Sequence, residues 1–185
     1  MCVPTNFDGT VRRELLHRGS KFDIETLCFT GNRGETLKRE CIRHPGSVIV
    51  LPLLPDGRVV LIRNWRLSTE SWIWELPAGT MTKGEPPKTC AKRELSEETG
   101  FAAASVAPLP GLPRFYPAPG LTDELMHAFV ATDLTPLQQR LEDDERIEVH
   151  PVPVQVLEQM IVNGDIIDAK TLLVWFTWKR SPRSS

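Results

Sequence analysis

The chain has 185 residues, of which 41% are hydrophobic, and this is enough for the buried core of one domain or of one domain with a small addition. Its formal net charge is −2, so no basic surface indicates a nucleic-acid-binding protein. The cysteines show no CxxC pair and no zinc-ligand spacing; they are Cys2, Cys28, Cys41 and Cys90. Because no secretory apolar segment begins the chain and no apolar run reaches the length of a membrane span, we expect a cytoplasmic protein with reduced thiols.

The first part of the chain indicates a small β element, with two or three extended segments in residues 11–45. Residues 22–29 alternate at period two, as a half-buried strand does. A turn cluster at 31–34 separates them from a returning strand at 36–42. Pro45 and Gly46 then interrupt the pattern. We therefore predict an N-terminal β element at 1–45, which we expect to take part in a dimer, and a main domain at 46–185.

Strands and helices are mixed in the main domain. The strongest strand signal is a fully apolar run that suits a buried strand, followed by a Pro-Asp-Gly turn. The predicted strands are 47–54, 58–64, 72–76, 124–131 and 147–153. The predicted helices are 88–99, 154–163 and 168–179. The last helix carries Trp175 and Trp178, which we expect to pack on the core, and the mixture of elements predicts an α/β sandwich.

The helix predicted at 88–99 carries an unusual cluster of acids. Glu94, Glu97 and Glu98 share one face, because residues three and four apart are neighbours on a helix. Like charges at this spacing repel by roughly a few tenths of a kcal/mol per pair, and a bound divalent cation would turn that repulsion into attraction. A solvated surface helix would explain each acid separately. It would not explain the glycines that open the preceding loop and close the helix.

The residue types around this helix follow a fixed spacing over residues 79–101, GTMTKGEPPKTCAKRELSEETGF. The specified positions are Gly79, Glu85, Arg93, Glu94, Leu95, Glu97, Glu98, Gly100 and Phe101. This pattern resembles the signature of the Nudix hydrolases, with no departure from it. The resemblance implies a Nudix-type α/β/α sandwich with a mixed sheet, preceded here by the small N-terminal β element.

The resemblance also implies a metal site. Glu94 and Glu98 are expected to ligate Mg²⁺, with Mn²⁺ as the alternative ion, and Glu97 is expected to contribute to a second ion. The backbone carbonyl of Ala78, just before the motif, is expected to complete a metal site. Glu97 and Glu98 are therefore also counted among the catalytic residues.

Other residues of the motif are expected to be structural. Arg93 can pair with Glu85 and orient the loop against the helix, although an ordinary surface arginine is the alternative interpretation. The structural set is Gly79, Glu85, Arg93 and Gly100.

Hydrolysis also needs a base that deprotonates water, and many Nudix enzymes take it from an acidic loop after the motif. The run LEDDERIE at 141–148 lies before the strand predicted at 147–153. Glu145 is the first candidate for this base and Glu142 is the second. Four consecutive acids are also typical of a solvated loop, and that alternative stays open.

Segments on both sides of the motif are similar to the branch of the family that hydrolyses ADP-ribose and nucleotide sugars. They are 62–66, 74–79 and 116–124, and Pro117 lies sixteen residues after Phe101. In that branch an arginine matching Arg66 contacts the diphosphate, and a glutamate matching Glu75 lies near the sugar or the metal-bound water. A strand-end charge and a backbone hydrogen bond are the ordinary alternatives for these two.

The same branch suggests further substrate contacts. Ala118, in the downstream loop, is placed with the substrate-binding residues. Arg39 is expected to reach a phosphate of the partner's ligand, because members of this branch often pair as homodimers with shared sites.

We therefore expect Mg²⁺-dependent hydrolysis of the pyrophosphate bond of a nucleoside diphosphate sugar, with ADP-ribose foremost. The products would be a nucleoside monophosphate and a sugar phosphate. One alternative is another Nudix substrate, such as GDP-mannose, a dinucleoside polyphosphate or a capped RNA end, although the near-neutral charge disfavours RNA. The second alternative is a non-catalytic nucleotide-sugar sensor. Such sensor domains usually lose carboxylates of the motif, whereas all of these carboxylates are present in this chain. No membrane partner is expected.

Overall fold

The computed structural model describes residues 10–182. The chain divides into two compact units: Met1–Pro45 with Ala118–Glu124, and Gly46–Pro117 with Leu125–Ser185. The division falls between Pro45 and Gly46, and it assigns one later loop to the first unit. Cys28, Cys41 and Cys90 are free thiols, whereas Cys2 lies outside the described residues.

The first unit contains an antiparallel three-stranded sheet in the order β1-β2-β3. The strands are β1 (Val11–Arg18), β2 (Asp23–Thr30) and β3 (Thr36–Arg43). The later loop attaches to β3, because the Ile42 amide donates to the Leu121 carbonyl over 3.0 Å and Arg43 forms an ion pair with Asp123. The prediction of an N-terminal β element is confirmed.

The second unit contains the remaining strands and all the helices that the described residues form. Its strands are β4 (Ser47–Pro52), β5 (Val59–Arg66), β6 (Ser71–Glu75), β7 (Ala78–Thr80), β8 (Phe101–Pro108), β9 (Arg114–Phe115), β10 (Met126–Pro136) and β11 (Ile147–Val152). Its helices are α1 (Pro87–Thr99), α2 (Val154–Asn163) and α3 (Ala169–Arg180). None of the helices within residues 10–182 is long and apolar enough to cross a membrane.

These strands form two sheets. One has the order β7-β4-β10-β8, with the short β9 also pairing with β10. Strands β4 and β10 are parallel and the other pairs are antiparallel, so this sheet is mixed as predicted. The other sheet has the order β11-β5-β6 and is antiparallel.

Alternate residues of β4 face two different hydrophobic clusters. Ile49 and Leu51 belong to a cluster that includes Leu157 of α2 and Trp175 of α3, and Trp178 packs against it. Val48 and Val50 belong to a second cluster, formed with Cys90, Ala91 and Leu95 of α1. Successive side chains of a strand point to opposite faces, so helices cover both faces of this strand. The predicted α/β/α sandwich is confirmed, as is the packing of the last helix on the core.

Strand β8 was not predicted from the sequence. Its first residues are FAAAS, whose small side chains give almost no alternation of apolar and polar character. The strand forms because it pairs along β10, from Phe101 opposite Pro136 to Pro108 opposite Phe129. The same pairing extends β10 beyond the predicted end at residue 131.

Candidate metal and substrate site

Helix α1 and the short strand β7 bring together the central residues of the site. Glu94 and Glu98 lie on the buried side of α1, and the Ala78 amide donates a hydrogen bond of 2.8 Å to Oε2 of Glu98. Gly79 follows on β7, where an added Cβ would overlap the carboxyl group of Glu94. A side chain at this position would therefore displace the Glu94 carboxyl group from its place against the backbone.

Burial changes the acidity of both carboxyl groups. It raises the pKa of Glu94 to about 7, although the adjacent Arg93 opposes the change. It also raises the pKa of Glu98 well above its ordinary value; the Ala78 hydrogen bond lowers that pKa, and the charge of Glu94 raises it. Two buried carboxylates this close require either a proton or a cation.

The donor set fits a hard divalent cation. Carboxylate and carbonyl oxygens are the ligands that such ions prefer, and Mg²⁺ usually takes one or two protein carboxylates with water and phosphate oxygens. Within residues 10–182, no three His, Cys, Asp or Glu side chains converge in a ready-made metal cluster. The side chains of Glu94 and Glu98, with the carbonyl of Ala78, would supply oxygen donors of this kind.

Arg93 connects the loop before α1 to the acids on the helix. Its Nε and Nη2 donate to the two carboxylate oxygens of Glu85, each over 3.0 Å, which is the pairing that the sequence indicated. Its Nη1 also lies 2.9 Å from Glu97 and 2.7 Å from Glu94, contacts that the sequence did not indicate. The Arg93 hydrogen bonds lower the pKa of Glu85 to about 2. One guanidinium thus orients three carboxylates.

The acidic loop lies near this cluster. The charge of Glu145 contributes to the raised pKa of Glu94 and of Glu98, so Glu145 is electrostatically coupled to both. The Glu142 amide donates to the Glu145 carboxylate over 2.9 Å, and the Glu145 amide donates to the Glu142 carbonyl over 3.1 Å. These reciprocal bonds make a compact turn that orients the Glu145 side chain.

The segment leading into the acidic loop is attached to the end of α1. Gln139 Nε2 donates to the Glu98 carbonyl over 2.7 Å, and the Arg140 amide donates to the Glu97 carbonyl over 3.0 Å. Gly100 adopts a left-handed φ of 67°, and a Cβ there would lie 3.0 Å from the Leu137 carbonyl oxygen. Sequence reasoning missed Gln139, because a bond from an amide side chain to a distant backbone carbonyl leaves no periodic pattern.

Arg66 and Glu75 form a paired site on neighbouring strands β5 and β6. Arg66 Nε donates to Glu75 Oε1 over 2.9 Å, and Arg66 Nη2 donates to the other oxygen. Burial lowers the pKa of Arg66, but the hydrogen bonds and charge of Glu75, with the charges of Glu98 and Asp168, outweigh it and raise that pKa. The charge of Glu98, one of the candidate metal ligands, thus acts on Arg66. Lys170 also lies 3.4 Å from Glu75, and sequence reasoning missed it.

Two predicted substrate residues belong to the first unit. Arg39 is on β3, where its Nη1 donates to the Lys38 carbonyl over 3.4 Å. Ala118 is exposed, and its carbonyl accepts from the amides of Leu121 and Thr122 over 2.9 and 3.1 Å. Their roles in substrate binding stay predictions.

Comparisons with known proteins find relatives that match most of the chain. The model of the NUDIX domain matches residues 43–173. The chain is 34% identical over 166 residues to an ADP-ribose pyrophosphatase of Bacillus subtilis (strain 168), covering 89% of this chain and 88% of that protein. It is 29% identical over 177 residues to a GDP-mannose pyrophosphatase of Yersinia enterocolitica (serotype O:8 / biotype 1B), covering 89% and 91%.

A solved structure described as an ADP compounds hydrolase superposes with a TM-score of 0.78 at 25% identity, covering 92% of this chain and 91% of that one. The resemblance seen in the motif is thereby confirmed by relatives that extend over most of the chain. Because the family model matches most of the chain and a relative above 30% identity covers nearly all of it, the chain belongs to the Nudix family.

Proposed function

We propose that this chain hydrolyses the pyrophosphate bond of nucleoside diphosphate sugars, with ADP-ribose as the foremost substrate and Mg²⁺ as the cofactor. The observation that carries the proposal is the buried pair Glu94 and Glu98, placed against the backbone of Ala78 and Gly79. The relatives support the substrate class, since one is an ADP-ribose pyrophosphatase and another is a GDP-mannose pyrophosphatase. Mn²⁺ is the alternative ion.

The acids of α1 would hold the cofactor. Glu94, Glu98 and the Ala78 carbonyl are assigned to one cation, and Glu97 to a second. A bound divalent cation supplies charge neutralisation for the diphosphate and makes water more acidic. Arg93, paired with Glu85, holds Glu94 and Glu97 in place before the cofactor arrives.

The acidic loop would supply the base. Glu145 accepts a proton from water, with Glu142 as the second candidate. The water oxygen forms a bond to one phosphorus, and the bond between that phosphorus and the bridging oxygen breaks. The products are a nucleoside monophosphate and a sugar phosphate.

The remaining predicted residues are assigned to the substrate. Arg66 is assigned to neutralising the diphosphate, and Glu75 positions Arg66 through two hydrogen bonds before the substrate binds. Ala118 is assigned to the substrate-binding loop and Arg39 to the partner's ligand. These assignments depend on the resemblance to the family branch.

A homodimer is part of the proposal. Among the hydrophobic side chains of the first unit within residues 10–182, only Cys28 is buried, and Leu16 on β1 is 61% exposed. A three-stranded sheet with so little core needs another surface against which to pack. This supports pairing through the N-terminal element; the dimer, the division at residue 45 and the cytoplasmic location stay predictions.

GDP-mannose is the second candidate substrate, because a GDP-mannose pyrophosphatase aligns over 89% of this chain. The non-catalytic sensor is less favoured, because the chain keeps every carboxylate of the motif.

The substitution Glu98→Gln tests the catalytic proposal. It preserves the shape of the side chain and removes its charge, so we expect kcat/KM for ADP-ribose with Mg²⁺ to fall by roughly 100-fold or more. The matched control is Glu158→Gln, on the outer part of α2, where the carboxylate pairs only with Lys179 among the described ion pairs. Turnover by Glu98→Gln equal to that of the control would contradict the role of Glu98.

A further inference from the structure

Glu75 is a buried carboxylate that lies between two cations. Its side chain is 3% exposed. Arg66 donates to both of its oxygens, and Lys170 Nζ lies 3.4 Å from Oε1. The proposed function gives Arg66 a contact with the diphosphate and leaves Lys170 without a role.

Lys170 is held in place from the start of helix α3. Its Nζ donates to Asp168 Oδ1 over 2.7 Å. Asp168 caps the helix, because its other oxygen accepts from the amide and the hydroxyl of Thr171 over 3.0 and 2.6 Å. The Thr171 hydroxyl in turn accepts from the amide of Leu76, next to Glu75, over 2.9 Å. The position of Lys170 beside Glu75 is therefore fixed by the fold.

The two cations differ in how accessible they are. The side chain of Arg66 is 37% exposed, whereas that of Lys170 is 18% exposed. Arg66 is therefore the cation that can turn to a ligand, and Lys170 is the one that stays with Glu75. A carboxylate left buried without a cation is strongly unfavourable.

We propose that Lys170 is a positioning residue that neutralises Glu75 when Arg66 turns from it to the diphosphate of the substrate. The inference rests on the proposed function, because it needs an anionic diphosphate as the ligand of Arg66. Without Lys170, Glu75 would hold Arg66 more tightly. A smaller fraction of the protein molecules would then have Arg66 free to contact the diphosphate. The diphosphate is present in the ground state and in the transition state, so the loss falls on binding more than on the chemical step.

The test compares Lys170→Met, Lys170→Arg and Lys179→Met. Methionine keeps the length of the apolar stem without the charge, and arginine restores the charge. Lys179→Met is the matched control on the same helix, where Lys179 pairs with Glu158 at the surface. We expect Lys170→Met to raise KM for ADP-ribose about tenfold while kcat stays within about twofold. Lys170→Arg and Lys179→Met should stay within about threefold of the unmodified protein.

Binding of inorganic pyrophosphate, measured by calorimetry without divalent metal, separates this inference from the proposed function. If no nucleotide sugar is hydrolysed but Lys170→Met still weakens pyrophosphate binding about tenfold, the proposed catalysis fails and the role of Lys170 stands. Equal KM and equal pyrophosphate affinity in Lys170→Met and Lys179→Met would overturn the inference. Failure of Lys170→Arg to restore binding, or no pyrophosphate binding by the unmodified protein, would also overturn it. The melting temperature of each variant shows whether it folds. If Lys170→Met does not fold, Lys170→Gln takes its place in the comparison.

Discussion

Arg93 and Arg66, two arginines of the candidate site, differ in their partners. It lies against Glu85, Glu94 and Glu97 and also donates to the Thr80 carbonyl over 3.3 Å. Arg66, by contrast, has Glu75 as its one carboxylate partner within residues 10–182, and its side chain is more exposed than that of Arg93. The geometry therefore separates an arginine that holds the site together from one that is available to a ligand.

We predict that the Arg93–Glu85 pair makes the free energy of unfolding depend on pH. Hydrogen bonds from Arg93 lower the pKa of Glu85 from 4.5 to about 2 in the folded protein. Because the folded pKa is the lower one, this stabilisation is complete above the unfolded pKa and disappears as the pH falls through the folded value. We expect Glu85→Gln to lose roughly 1–2 kcal/mol of unfolding free energy at about pH 7 and much less near about pH 2.

Urea unfolding in the presence of EDTA measures this difference without a contribution from metal. The control is Glu148→Gln, because Glu148 forms an exposed ion pair of 3.6 Å with Arg63 and should change stability by less than about 0.5 kcal/mol at any pH. A difference between Glu85→Gln and the unmodified protein that is constant from about pH 7 to about pH 3 would contradict the assignment.

At the residue scale, the placement of the acids on α1 could be predicted from the sequence better than the residues around them. Glu94, Glu97 and Glu98 could be predicted because helical spacing and a fixed motif place them together. Asp168 and Lys170 could not, because they lie about 90 residues from Glu75 and no short-range pattern joins them. Their contact follows from where α3 packs.

At the scale of elements, three hydrogen bonds join the C-terminal end of α1 and its cap to the segment that leads into the acidic loop. Besides the bonds from Gln139 and Arg140, the Leu137 amide donates to the Gly100 carbonyl over 2.6 Å. The helix that carries the carboxylates of the proposed metal site thus also anchors the segment that leads to Glu145. A shift of this anchor would move the proposed base relative to the metal site.

The substitution Gln139→Ala tests this connection. Removal of the amide leaves the Glu98 carbonyl without its donor and frees the start of the loop. We expect kcat for ADP-ribose to fall roughly tenfold, because small displacements of a catalytic group have large effects on rate. Steady-state kinetics and melting temperature would be measured together.

The matched control is Gln159→Ala on α2, where the amide bonds only to Asn163 among the described contacts, over 2.7 Å. Its kcat should stay within about twofold of the unmodified protein. The connection has no catalytic role if both variants keep full kcat, whatever their melting temperatures.

The elements that the sequence predicted are those with strong local signals. The apolar run of β4, the Asp168 start of α3 and the Gly100 end of α1 all follow from residue type. The elements that it missed depend on pairing with a distant strand. Besides β8, the sequence did not predict the short strands β7 and β9, which have three and two residues.

At the scale of the whole molecule, the hydrophobic core and most residues of the candidate site lie in the same unit. In the second unit, the alternating faces of β4 and β5 bury hydrophobic residues against helices on both sides. The carboxylates of α1, the pair Arg66–Glu75 and the start of the acidic loop belong to this same unit. The first unit contains the predicted substrate residues Ala118 and Arg39, and the proposed role of Arg39 depends on the proposed dimer.

The most direct measurement of the central claim is turnover of a substrate panel by the purified protein with Mg²⁺. The panel contains ADP-ribose, GDP-mannose, ADP-glucose and a capped oligonucleotide, and the products are separated by chromatography. We predict the highest kcat/KM for ADP-ribose, release of AMP and a sugar phosphate, loss of activity in EDTA and recovery when Mg²⁺ is returned. Binding of ADP-ribose with no product in Mg²⁺, or turnover that continues in EDTA, would contradict the account.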